Sequence, residues 1–110
     1  MSNWTSSHKF PEGDWRGLWT SHDWVAKQME MVDHIKPIVK NTNLPMWTIG
    51  LKYILNNKTV TSVIPGSSSP EHIRDNASVT MLPDLSEEVL GHLQELWLDG
   101  KVHGTYNGGA

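Results

Sequence analysis

One run of β-branched residues, Thr59-Val60-Thr61-Ser62-Val63-Ile64, stands alone among stretches with helical periodicity. The run reads as a short strand. A single strand cannot make a sheet, and its backbone N–H and C=O groups need partners that the rest of this pattern does not offer. The flanking sequence is helical. Val25, Met29, Val32, Ile35 and Val39 recur at helical spacing behind Asp23, a candidate N-cap, with Pro37 as a kink site and Asn41-Thr42-Asn43 as the stop. A second helix starts at Pro45, lines Trp47, Leu51, Ile54 and Leu55 on one side and stops at Asn56-Asn57. Ser69 caps a third that begins at Pro70. Ser86 caps a fourth, with Leu85 and Leu90 at the positions of a hydrophobic staple and Gly100 as its stop. The pattern predicts a mainly α chain with about four helices, near residues 24–40, 45–56, 70–78 and 86–98, and one short strand. We expect a single domain over 1–110, with flexible ends at 1–9 and 101–110.

Composition excludes several functions. The formal charge is −3 and no Lys/Arg cluster occurs, which argues against a nucleic-acid partner. There is no cysteine, hence no disulfide and no thiolate site. Residues 1–10 lack the apolar core of a secretory signal, and no run approaches the ~18 apolar residues of a membrane span. No membrane and a cytoplasmic location are the expectations. His8, His22, His34, His72, His92 and His103 form no HxxxH or HExxH pair, so no metal site is expected. Tyr53 sits among core positions and Tyr106 in a Gly-rich tail. Asp23 and Asp33 read as caps or surface groups. No catalytic residue emerges from the pattern.

The segment that carries chemistry is Val63-Ile64-Pro65-Gly66-Ser67-Ser68-Ser69-Pro70-Glu71-His72. A strand feeding a Gly/Ser turn and a helix start offers unpaired N–H groups and a partial positive charge, which suit phosphate. Gly66 allows close approach of a ligand, and three serines add hydroxyl donors. The same segment is also what an ordinary capped βα turn looks like.

Four segments together resemble one family. Val63-Ile64-Pro65-Gly66, then Pro70-Glu71-His72 and Asp75-Asn76, is similar to the end of the last barrel strand in aldo-keto reductases of the bacterial Ile-Pro-Gly branch. Phe10-Pro11-Glu12-Gly13-Asp14-Trp15-Arg16 and Trp19 resemble the long loop after the seventh strand. Leu51-Lys52-Tyr53-Ile54-Leu55 resembles the family's Ala-Leu-x-Trp-x-Leu helix, and Leu85-Ser86-Glu87-Glu88 the start of its terminal helix. The likeness spans roughly residues 8–98.

The resemblance implies an incomplete barrel, the last part of a (β/α)8 TIM fold that takes about 250 residues when whole. It places contacts to the adenosine phosphate end of NADP, or NAD, on Gly66, Ser67, Ser68, Ser69, His72, Asp75 and Asn76. Many members carry Lys where Gly66 stands and Arg or Gln where His72 stands. An imidazole cannot match the five-donor fork of Arg on a 2′-phosphate, which leaves the preference between NADP and NAD open. The family's catalytic Asp, Tyr, Lys and His lie on early strands, and nothing here matches those segments. The resemblance thus implies a fragment that is inactive alone and binds cofactor weakly or not at all. Two alternatives stand beside it: a nucleotide- or protein-binding module acting in an oligomer, and a piece of an intact NAD(P)H-dependent carbonyl reductase. Trp15, Trp19 and Trp24 either anchor their loop or stack on a flat ligand. The apolar stripes of Val25, Met29, Val32, Trp47, Leu51 and Ile54 would lose their barrel partners, so a homodimer or larger homo-oligomer is expected.

Overall fold

The computed structural model describes residues 9–17 and 24–102, the side chains of residues 24 and 25 excepted. Four α-helices run through them: α1 (Trp24–Lys40), α2 (Met46–Leu55), α3 (Pro70–Ser78) and α4 (Glu87–Leu98). A 3-10 turn at Val79–Met81 follows α3 directly. The four expected spans agree with these to within a residue at each end. α1 packs against α2 and α4, and the 3-10 turn packs against α2 and α3.

Local chemistry fixes the helix ends. The Ser69 hydroxyl accepts the His72 N–H at 3.2 Å and starts α3. The Ser86 hydroxyl accepts the Val89 N–H at 3.3 Å and starts α4. Pro45 stands as the N-cap of α2 rather than its first residue, with extended φ/ψ. The expected Asp23 cap lies outside the described residues. α1 runs through Pro37 to Lys40, and in the turn beyond it Asn43 takes φ 56°, a left-handed conformation that Asn tolerates. α4 ends at Gly100, φ 69°. There the Gly100 N–H donates to the Trp97 carbonyl at 3.1 Å and the Lys101 N–H to the Leu96 carbonyl at 3.0 Å, the pair of bonds that defines a Schellman stop.

One expectation fails. No strand forms among the described residues. The run Thr59–Ile64 stays outside any ladder: the Val60 N–H closes a turn onto the Asn57 carbonyl at 2.9 Å, and the chain beyond it is unpaired. The β-branched residues favour extension, but a strand needs a neighbour and the described residues hold none. The apolar stripe of α2 is not its buried side: Trp47 and Ile54 are exposed and Leu51 and Leu55 only half-buried. The buried side chains are Thr48, Ile49 and Lys52, about a third of a turn away around the helix. That is the face α1 and the 3-10 turn reach.

The core is small. Met29, Met31, Ile49, Val79 and Leu85 are its buried apolar side chains, with Val79 fully enclosed. Met31 lies off the stripe expected for α1. A helix packed against two neighbours buries a wider arc than one stripe supplies. Lys52 crosses this core. Its Nζ donates to the Leu82 carbonyl at 2.9 Å and to Asp84 Oδ1 at 3.1 Å, tying α2 to the link between the 3-10 turn and α4.

The two partners of Lys52 carry unequal weight. Lys52→Ala should cost about 2–4 kcal/mol, because it opens a cavity and strips the donor from the Leu82 carbonyl. Asp84 is 83% exposed, so Asp84→Ala should cost less than about 1 kcal/mol. Urea denaturation of both variants, followed by helical circular dichroism, measures the difference. Equal losses would show that the ion pair, rather than the carbonyl bond and the packing, holds Lys52.

Candidate functional site

The turn between the β-branched segment and α3 is organised mainly by its own groups. The Ser67 hydroxyl donates to the Ser69 carbonyl at 3.0 Å. Ser69 uses its hydroxyl for the His72 N–H and its carbonyl for the Ile73 N–H, at 3.2 Å each. Pro70 has no N–H. Of the first turn of α3, only the Glu71 amide remains without an acceptor among the described residues, and its own carboxylate stands beside it. Upstream, the amides of Gly66, Ser67, Ser68 and Ser69 have no acceptor there either. The donors available to an anion are therefore the turn's backbone, more than the helix start itself.

Seven residues were expected to meet a cofactor phosphate. Gly66, Ser67, Ser68, His72 and Asp75 are exposed, and Ser69 and Asn76 are half-buried. Ser67 and Asn76 come together in one open groove of about 350 Å³. Leu51 and Leu55 of α2 form one wall, Thr61 and Val63 another, and Ile73 with Asn76 of α3 a third. Gly66, Ser68, Ser69, His72 and Asp75 lie outside that lining. Thr80, from the 3-10 turn, also lines the groove. Nothing in the local pattern signals Thr80, because its position depends on the tight turn that follows α3.

The loop at 9–17 forms a second ordered unit. Arg16 clamps Asp14 through Nη2 at 2.6 Å and Nε at 2.9 Å, and the Arg16 N–H adds a bond at 3.0 Å. The guanidinium lies 5.0 Å from the centre of the Phe10 ring. Trp15 is exposed on this turn. Trp19 lies outside the described residues, as does the side chain of Trp24. Among the described residues no group of His, Asp and Glu could hold a metal, and no helix is long and apolar enough to cross a membrane.

A capped helix behind a Gly/Ser turn that follows a β-branched segment is the arrangement that β/α proteins use for phosphate ligands. The chain belongs to the aldo/keto reductase family, whose model matches residues 3–98. No curated protein and no solved structure shows a match to the chain.

The clamp on Asp14 has a pH signature. Side-chain bonding from Arg16, then its backbone N–H, holds the Asp14 carboxyl below its ordinary 3.8. The folded value is lowered, so the clamp's contribution is complete above 3.8 and is lost as pH falls through the lowered midpoint. A carboxyl NMR titration should place Asp14 below 3.8 in the native chain and bring it back toward 3.8 in Arg16→Gln. An unchanged midpoint in that variant would refute the clamp.

Proposed function

We propose that this chain is an aldo/keto reductase-type segment that carries part of the phosphate-binding end of an NAD(P) site and does not transfer hydride by itself. The convergence of Ser67 and Asn76 on one groove, beside the unbonded amides of Gly66 to Ser69, supports this reading most directly. The cofactor of such a family supplies the hydride. This chain's residues would only hold its adenosine phosphate end, with backbone donors, serine hydroxyls and the exposed His72 imidazole. The groove is open and no cationic fork stands in the turn, so affinity should be weak for NADP and NAD alike. No catalytic role is assigned to any residue.

A second reading is a nucleotide- or protein-binding module that works in an assembly. The outward apolar stripe of α2 and the exposed Trp97 favour it. If the 110 residues belong to a longer polypeptide, that protein would act as an NAD(P)H-dependent carbonyl reductase.

Two measurements separate these readings. The purified chain with NADPH and a panel of aldehydes should show no loss of reduced cofactor; turnover that co-purifies with the chain overturns the reading. Calorimetry with NADP, NAD and 2′-phosphoadenosine should show weak or undetectable heats. Micromolar binding that Ser67→Ala or Asn76→Ala weakens would favour the binding module.

A further inference from the structure

We infer that Asn57 is a site of N-linked glycosylation, modified on its side-chain nitrogen by a sugar activated as a glycosyl diphosphate. Three Asn-x-Ser/Thr sequences without proline in the middle occur in the chain: Asn3-Trp4-Thr5, Asn57-Lys58-Thr59 and Asn76-Ala77-Ser78. The first lies outside the described residues. The third belongs to α3, where Asn76 is half-buried and lines the groove beside Ser67. The Ser78 hydroxyl donates to the Asp75 carbonyl at 2.7 Å, so it is bonded to the helix backbone rather than to the Asn76 carboxamide. Asn57-Lys58-Thr59 differs on each count. All three residues are exposed. Asn57 Oδ1 accepts the Thr59 N–H at 3.0 Å and the Thr59 hydroxyl at 2.7 Å. These bonds hold the hydroxyl on the carboxamide, and Nδ2 keeps both its hydrogens without an acceptor among the described residues.

The turn owes its shape to its own bonds. The Asn56 N–H donates to the Lys52 carbonyl at 2.8 Å, the Asn57 N–H to the Ile54 carbonyl at 3.1 Å and the Val60 N–H to the Asn57 carbonyl at 2.9 Å. Its exposure also fits the whole fold. A closed (β/α)8 barrel keeps each helix-to-strand connection on its rim, at the end opposite the active-site loops, so the turn after α2 stays at the surface there. The site is separate from the phosphate reading, since residues 56–60 line no part of the groove of Ser67 and Asn76. In the transfer, Asn57 Nδ2 attacks the anomeric carbon of the donor. The bond from that carbon to the diphosphate oxygen breaks, the diphosphate leaves with the electron pair, and one Nδ2 proton passes to a base of the transferase. Two donors share this chemistry: a nucleotide sugar, used by soluble transferases, and a lipid-linked oligosaccharide, used at membranes.

Glycopeptide mapping of the folded full chain by mass spectrometry tests the assignment. One arm offers UDP-glucose with a soluble N-glycosyltransferase, and the other offers a lipid-linked oligosaccharide with microsomal membranes. Sugar should appear on Asn57 in at least one arm, and the arm that works identifies the donor. Asn57→Gln and Thr59→Val should abolish it, Thr59→Ser should retain it, and Asn76→Gln should leave it unchanged. Helical circular dichroism of Asn57→Gln should match the native chain, because that side chain is exposed. Ser78→Thr gives both sequences the same hydroxyl type and should still leave Asn76 bare, because the helix and not the residue type withholds it. Sugar on Asn76 of Ser78→Thr as readily as on Asn57 would overturn the proposal. So would sugar on Asn57 of Thr59→Val, or none on Asn57 in either arm.

Discussion

Lys52 Nζ lies in the core and donates to the Leu82 carbonyl at 2.9 Å and to Asp84 Oδ1 at 3.1 Å. An ammonium can stay buried only if its donors are met, so these two bonds set the rotation of α2. With Lys52 inward, Thr48 and Ile49 go inward as well, because they share its face. Trp47 and Ile54 then point out. The same two bonds hold the link from Leu82 to Asp84 against α2. That brings Val79 and Leu85 into the core and sets where α4 begins beside α1. Turning α2 to bury its apolar stripe would swing the ammonium away from both acceptors and release that link.

The helices were legible in the sequence because their ends are local events. Ser69, Ser86, Asn43 and Gly100 act within four residues of themselves, and each does in the structure what its side chain or its φ permits. The turn was legible for the same reason. Which face a helix buries is not local. Trp47, Leu51, Ile54 and Leu55 make the better apolar stripe, yet no neighbour among the described residues covers it. The stripe describes what α2 would do against a sheet. Lys52 describes what it does against α1 and the 3-10 turn. Periodicity ranks faces by hydrophobicity and cannot see a carbonyl thirty residues away that satisfies an amine.

The missing strand follows the same logic. Thr59–Ile64 has the composition of a strand, yet no regular structure forms beyond Val60. Pairing is a relation between segments, and the preference of one cannot supply it. Family membership sharpens this point. Residues 3–98 match a family whose barrel closes through eight parallel strands, and this segment is the one part of the described chain suited to such a ladder. In a closed barrel, the strand fixes the direction from which the Gly/Ser turn meets its helix. Here the turn keeps its internal bonds, Ser67 to Ser69 and Ser69 to His72, and these preserve its shape without the barrel.

That separation of shape from support bears on function. A phosphate site needs donors held in place and a wall to exclude water. The turn supplies the first through its own serines and through backbone amides left free from Gly66 to Ser69. The second must come from whatever covers the exposed side of the groove. Leu51, Leu55, Val63 and Ile73 already give that groove an apolar floor. A body packed against residues 60–64 would stand beside it, since Thr61 and Val63 belong to both. The unpaired segment and the candidate site are therefore one physical problem: satisfying the backbone of residues 61–64 from outside also changes how far water reaches Ser67 and Asn76.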